Sequence, residues 1–290
     1  MWRYLFCGIW IATASAVDKP PPEPRQPVEK SGFTLFNPTP RDGMREMATD
    51  RPDITESPYT VDAGHFQIEA DILNYSYDRP NASRDHTRVE TLSIAPFNLR
   101  VGLCNSSEFD LVVPTYTSIR THDTRAGRVS YDRGFGDLLT RAKINFWGND
   151  GGATALGVIP FVKWPTSMDG LGNNSVEGGL ILPFAAALPL GVDLGVMTEA
   201  QFNCDSDGHG RHVEFVNSIT FSHKIVGALN GYAEFASVVN TERRAPWTGT
   251  VDFGLTYLLA DDVQLDAGVN IGVTRSADDV NPFLGISFRF

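Results

Sequence analysis

Histidines are the first residues to test for chemistry, because a serine–histidine pair or a histidine-ligated metal would mark an enzyme. His65, His86, His122, His209, His212 and His223 are scattered along the chain, and none has a Ser or Asp at a spacing that singles out a nucleophile and its base. The stretch Cys204-Asp-Ser-Asp-Gly-His-Gly-Arg-His212 contains metal-binding residue types, yet it matches no ligand spacing and reads as a solvated loop. The sequence thus predicts no catalytic residue, no metal and no cofactor. A hydrolase working at the rim of the fold is the least favoured reading.

The charges that do follow a rule are those alternating with apolar residues. From His65 onward the text divides into stretches of about ten residues with period two, the signature of strands with one face in lipid and the other in a lumen. In the first, Phe66, Ile68, Ala70 and Ile72 oppose Gln67, Glu69 and Asp71. The second runs from Thr87 to Leu103, and the third sets Phe109, Leu111, Val113 and Ile119 outside against Asp110 and Tyr116. The fourth opposes Leu138, Thr140, Ala142, Ile144 and Phe146 to Asp137, Arg141, Lys143 and Asn145, and closes at Gly148-Asn-Asp-Gly-Gly152, whose residues suit a tight hairpin. The last, Phe283 to Phe290, alternates Leu284, Ile286, Phe288 and Phe290 with Gly285, Ser287 and Arg289 and ends on an aromatic.

Counting these segments predicts an all-β fold, a transmembrane antiparallel up-and-down barrel of about 12 strands over residues 65–290. Connections near Arg79, Asp123, Gly170, Asp207, Arg244 and Asp279 read as long or charged, and those near Asn105, Asp150, Leu190, Ile225 and Asp261 as short. Such alternation matches long outer loops and short periplasmic turns. A soluble β-sandwich is the competing fold, disfavoured by the repeated strand length and the terminal Phe290.

The inward positions then carry Glu69, Asp71, Glu90, Asp137, Glu177, Asp193, Glu199, Glu234, Asp252 and Asp266, with Arg88, Arg100, Arg141, Lys143, Lys163 and Arg289 as the cations. Buried charges need water or partners, so the interior is either a wet pathway or a salt-bridged filling. An acidic excess favours cations if water passes.

Composition sets the remaining limits. The chain has 290 residues, 42% hydrophobic and 20% charged, with a formal net charge of -11, which argues against nucleic acid as a partner. Met1 to Ala16 reads as a signal peptide with a basic start, an apolar run and Ala14-Ser15-Ala16 as its cleavage site. Residues 17–32, with Lys19-Pro-Pro-Pro-Glu-Pro-Arg-Gln-Pro27, read as a proline-rich periplasmic linker. Residues 33–64 have no strand or helix periodicity and suit a plug in the bore or a periplasmic cap, since irregular backbone is tolerated where lipid cannot reach it. As a gate, Arg51, Asp53 and Glu56 would pair with lumen charges such as Lys143, Lys163 and Asp252. Cys104 and Cys204 fall at opposite ends of the barrel, too far apart to bridge.

Thr49-Asp-Arg-Pro-Asp-Ile-Thr-Glu-Ser-Pro58, Gly64-His-Phe-Gln-Ile-Glu69, Gly134-Phe-Gly-Asp-Leu138, Phe146-Trp-Gly-Asn-Asp-Gly-Gly152 and Pro160-Phe-Val-Lys-Trp-Pro-Thr166 together resemble the outer-membrane family named for the meta-pathway of phenol degradation. Glu177-Gly-Gly-Leu-Ile-Leu-Pro183 and Met197-Thr-Glu199 are similar to further parts of its pattern. The resemblance runs from about Leu35 to Phe290 and implies a transporter of small organic molecules without fixing the cargo. The expectation is therefore an outer-membrane channel or passive transporter for small organic molecules, aromatic or hydrophobic ones included. The alternative is a non-conducting structural or surface-interaction barrel. Expected partners are the outer-membrane lipid bilayer, the assembly machinery acting on the C-terminal strand, and a small-molecule cargo. The candidate lumen and gate residues are Arg51, Asp53, Glu56, Glu69, Asp71, Arg141, Lys143, Lys163, Glu177, Glu199, Glu234, Asp252 and Asp266.

Overall fold

The computed structural model describes residues 29–80, 86–168 and 170–290. The expected signal peptide and most of the proline-rich linker lie outside them. Among the described residues there is no α-helix, and the sheet carries fifteen strand segments. They are β1 (Phe66–Asp78), β2 (Thr87–Ile94), β3 (Phe97–Cys104), β4 (Ser107–Val113), β5 (Tyr116–Asp123), β6 (Arg128–Gly134), β7 (Leu138–Trp147), β8 (Thr154–Trp164), β9 (Glu177–Leu188), β10 (Val192–Cys204), β11 (Arg211–Val226), β12 (Leu229–Asn240), β13 (Thr248–Ala260), β14 (Val263–Gly272) and β15 (Val280–Arg289).

Twelve of these close a ring. Antiparallel pairing runs from β15 down to β7, then through β4 and β3 to β1, and β1 returns to β15 from Gln67↔Arg289 to Tyr77↔Val280. The remaining three, β2, β5 and β6, continue β3, β4 and β7 beyond local breaks, so the protein is a closed antiparallel barrel of 12 strands. Closure leaves no open backbone edge around the ring, which is what hydrocarbon requires. Both ends of the barrel chain lie at one mouth, where Phe66 and Phe290 exchange both backbone hydrogen bonds, at 3.0 and 2.9 Å.

The breaks have local causes. Pro96 and Pro114 have no N–H to give to a ladder, and Ala95 (φ 54°) and Gly134 (φ 144°) turn the chain where β2 meets β3 and where β6 ends. They sit at one level, because Asp71 N donates to Pro96 O and Gly136 N to Pro114 O. At the same level β1 carries a bulge. Asp71 faces Gly285 and Leu73 faces Leu284, which leaves Ile72 unpaired. An extra residue flips the pleat, so Ile72 and Leu73 are both exposed and the inward face continues through Asn74, Ser76 and Asp78.

Beyond that level β1, β2, β5 and β6 form a flap, and among the described residues β6 has β5 as its one ladder partner. The connection near Asp123 is therefore not a long loop. It is an extended hairpin with a short tip between Asp123 and Arg128. Residues 165–168 close against the junction of β6 and β7, with Thr166 N and Ser167 N donating to Asp137 Oδ1 and Met168 N to Phe135 O.

Outward positions follow the alternation. Phe109, Ile144, Phe215, Ile219, Phe253 and Leu284 remain exposed on the wall, which suits lipid contact. Trp147 and Tyr257 stand toward one mouth, and Trp164 and Trp247 toward the other, as aromatic girdles do. Inward positions mix two chemistries. Arg100, Glu108, Asp110, Lys143 and Asp252 are fully buried, and so is Ile159, which with Ile181, Met197 and Val216 builds an apolar cluster inside the barrel.

Candidate functional site: the segment inside the barrel

Residues 48–62 run through the bore without joining the sheet, so their backbone groups must find side chains. The wall supplies them. Asp50 N and Arg51 N donate to Glu69 Oε2 at 3.0 and 3.2 Å. Ile54 N and Thr55 N donate to the two oxygens of Glu234, each at 2.8 Å, and Thr55 Oγ1 adds a bond of 2.5 Å. Val61 N donates to Glu108 Oε2 at 2.5 Å. In the other sense, Asn145 Nδ2 donates to Pro58 O, Arg100 Nη2 to Tyr59 O and Gln67 Nε2 to Ala48 O, all at 2.8 Å. Carboxylates of β1, β4 and β12 thus hold the N–H groups of an irregular strand of chain. Part of the acidic excess that reads as cation preference in the sequence is occupied in this way.

Charge pairs fasten the same segment. Arg51 meets Asp266 through both Nε (3.2 Å) and Nη2 (2.7 Å), reaches Asp71 with Nη1 at 2.6 Å, and lies over the Phe283 ring. Glu56 pairs with Arg141 at 2.5 Å, and Asp50 with Lys143 at 2.6 Å. Lys143 and Arg100 also reach Glu108, at 3.3 and 2.8 Å, and Arg100 reaches Glu69 at 2.6 Å.

These pairs differ from the expected ones. Lys143 takes Asp50 rather than Asp53 or Glu56, Lys163 binds Glu177 and Asp137 away from the segment, and Asp252 accepts from Thr250. Glu199 accepts from Gln201, and Asp53 lies beside Glu234. Of the thirteen candidates, then, Arg51, Glu56, Glu69, Asp71, Arg141, Lys143, Glu234 and Asp266 meet in direct contacts across the bore, with Asp53 next to them. Glu177, Lys163, Glu199 and Asp252 bond within the wall.

Glycines make room for the segment. A Cβ at Gly285 would lie 2.1 Å from Arg51 Nη2, one at Gly195 3.1 Å from Thr55 Cγ2, one at Gly157 3.3 Å from Pro58 Cα, and one at Gly102 2.1 Å from Asp62 O. These four glycines stand on inward positions of four strands. Alternation alone finds such positions but not their purpose. Glu108, Asn145 and Asn149 are also contacts beyond the expected set, the last accepting from Thr60 N at 3.0 Å.

At the mouth where Phe66 pairs with Phe290 the segment is clamped by ions. Asp62 accepts from Arg45 N (3.0 Å), Arg45 Nε (3.1 Å) and Lys30 Nζ (3.1 Å), and Lys30 also meets Asp150 at 3.0 Å. Burial works to raise the Asp62 carboxyl, but Arg45, its backbone N–H and Lys30 outweigh burial and hold it below the usual carboxylate range. Asp150 is lowered in the same sense, where bonds from Asn105 and Lys30 and the charge of Arg45 overcome desolvation. Beside this clamp lies a cavity of about 780 Å³ lined by Met44, Met47, Tyr59 and Asp193 among others.

Other chemistries fit poorly. Carboxylate oxygens of Asp50, Glu108 and Asp110 come within 4.8 Å of one another, but Lys143 and Arg100 already pair with the first two. A metal would have to displace an ammonium or a guanidinium. Among the described residues no histidine ring bonds a serine or threonine hydroxyl; His212 meets Asp205 and Asn240, His65 meets Thr39 O, and His223 meets Gly191 O. Cys104 and Cys204 are both unpaired.

Closure, girdles and a charged interior define an outer-membrane β-barrel whose bore holds its own N-terminal segment. Residues 49–290 match the family described as "Putative MetA-pathway of phenol degradation", and the chain belongs to that family. No curated protein matches it by sequence. Among solved structures it resembles the COG4313 outer membrane channel from Pseudomonas putida F1, at 12% identity and a TM-score of 0.61, covering 84% of this chain and all (100%) of that one. It is also similar to the NanC porin, at 10% identity and a TM-score of 0.48 over 77% of this chain and 98% of that one. The CymD monoaromatic hydrocarbon channel follows at 10% identity and a TM-score of 0.43, covering 78% and 87%.

Proposed function

We propose that the barrel is a passive outer-membrane channel for small organic molecules, aromatic ones included, and that residues 48–62 are its gate. The observation that carries this reading is how the bore is filled. The segment is held by side-chain hydrogen bonds and ion pairs, not by strand pairing, so it can leave without opening the ring. Motion along the bore would be driven by concentration alone. Membership of a family named for phenol degradation and the apolar cluster on the inner wall support a small, partly apolar cargo. Residues 1–16 would be cleaved on export and 17–32 would tether the segment in the periplasm. The terminal strand ending at Phe290 would be the element that the assembly machinery reads.

Conductance of the refolded chain in planar bilayers, with ion flux as the readout, tests the pathway. Steps that enlarge when residues 17–64 are removed support a gated channel. Silence from both chains, with the barrel shown to be folded, replaces it with a structural or surface-interaction barrel.

A further inference from the structure

One patch of the inner wall is unlike the rest. Strands β8 to β11 turn Ile159, Ile181, Met197 and Val216 inward, at 0, 2, 2 and 8% exposure, and Ile54 of the inner segment packs against them. Apolar side chains belong on the lipid face of such a barrel, and a water-filled bore has no use for them. Phe161 extends the patch, its ring lying over Gly179, where a Cβ would come within 2.8 Å. In the same row Glu199 stands directly opposite Ile181 on one side and Val216 on the other. Its Oε1 accepts from Gln201 Nε2 at 2.8 Å, and no donor among the described residues meets its Oε2.

The backbone around Ile54 is anchored independently of its side chain. Its backbone N–H is fixed by Glu234, and two residues on Glu56 N donates to the soft Met197 sulfur at 3.4 Å. A methionine wall adapts to different occupants. From this we infer that the Ile54 side chain fills a cargo seat on β8–β11, whose own ligand is a small apolar molecule carrying a hydroxyl group that donates to Glu199. The inference rests on the channel reading above and adds to it a seat, a polar anchor and a competitor. Cargo entering the seat displaces Ile54, so occupancy and release of the segment are coupled through one site.

The test uses ¹⁹F NMR of 4-fluorophenol and 4-fluorotoluene with the refolded chain in detergent micelles, against micelles alone. Ile54→Ala should bind 4-fluorophenol about tenfold more tightly than the unsubstituted chain, because the ligand no longer has to displace the buried Ile54 side chain. It should prefer the phenol to the toluene, and adding Glu199→Leu should erase that preference. Ile54→Val, which disturbs packing less, should show a smaller rise in the same direction. Heat-dependent migration on gels confirms that each barrel is folded. Equal binding by the Ile54→Ala, Ile54→Val and unsubstituted chains overturns the seat, and a preference that survives Glu199→Leu overturns the anchor. A chain lacking residues 17–64 that conducts while Ile54→Ala gains no binding removes the seat alone. Gained binding in a barrel that never conducts keeps the seat and removes the transport reading.

Discussion

Replacing Glu234 by alanine should open the bore. Its carboxylate accepts Ile54 N and Thr55 N at 2.8 Å and Thr55 Oγ1 at 2.5 Å, and bonds to a charged group contribute about 1.5 kcal/mol or more each. Together they would hold the segment by roughly 5 kcal/mol. Against this, Asp252 faces Glu234 directly across β12 and β13, and losing one of two like charges gives back part of that sum. A net loss of about 3 kcal/mol corresponds to roughly a 100-fold rise in the ratio of displaced to seated segment. Single-channel recording reads that ratio as open probability. Glu234→Gln, which keeps one acceptor and places an amide against an N–H, should fall between the two. Open probability in Glu234→Ala equal to that of the unsubstituted chain, in folded barrels, would refute the role given to this carboxylate.

Arg100→Met leaves Glu69 without its cation and Glu108 with Lys143 alone, both carboxylates within 1% of full burial, and breaking a buried pair costs about 3–5 kcal/mol; a lower urea midpoint in micelles is the expected result. Gly102→Ala pushes a methyl to 2.1 Å from Asp62 O, a backbone atom that cannot swing away, whereas Gly32 has nothing within 4 Å. Protease sensitivity of residues 48–62 should therefore rise in Gly102→Ala and stay unchanged in Gly32→Ala. The clamp at Asp62 and Asp150 should be pH-sensitive in one direction. Both carboxyls are held below their ordinary values, so their contribution is complete above an unfolded pKa of about 3.9 and is lost as pH falls through the depressed values. Conductance should thus be steady from neutral pH down to about 4 and grow below it.

Much of the barrel is legible in the sequence because period two survives wherever one face meets lipid. The fourth and last strands show this best, with Lys143 and Asn145 buried between exposed Ile144 and Phe146, and Ser287 and Arg289 buried beside exposed Leu284 and Phe290. The pattern fails where the chain breaks its own rule. The bulge at Ile72 inverts the pleat with two adjacent apolar residues, and β6 reads as loop because Arg128 to Gly134 belongs to a flap, with Val129 and Tyr131 exposed. Ile159, Ile181, Met197 and Val216 share the inward parity of Lys163, Glu177 and Glu199, so the sequence places their face but not their use. What hydrophobicity cannot say is why apolar residues stand on a polar face: the group they pack against is Ile54, more than a hundred residues away.

The partners of Arg51 were hidden in the same way. Any lumen carboxylate would satisfy its charge, and the choice of Asp266 and Asp71 is made by Gly285, which leaves space for the guanidinium between them. Carboxylates serving as acceptors for backbone N–H groups leave no mark in composition that separates them from carboxylates lining an open pore.

If the bore is a pathway closed by residues 48–62, removing them must open it. Matched single-channel recordings of the refolded chain with and without residues 17–64 test it most directly. Rare, small openings are expected of the chain with residues 17–64 and stable, larger conductance once they are gone. Identical traces from the two chains, with both barrels shown to be folded and inserted, would contradict it.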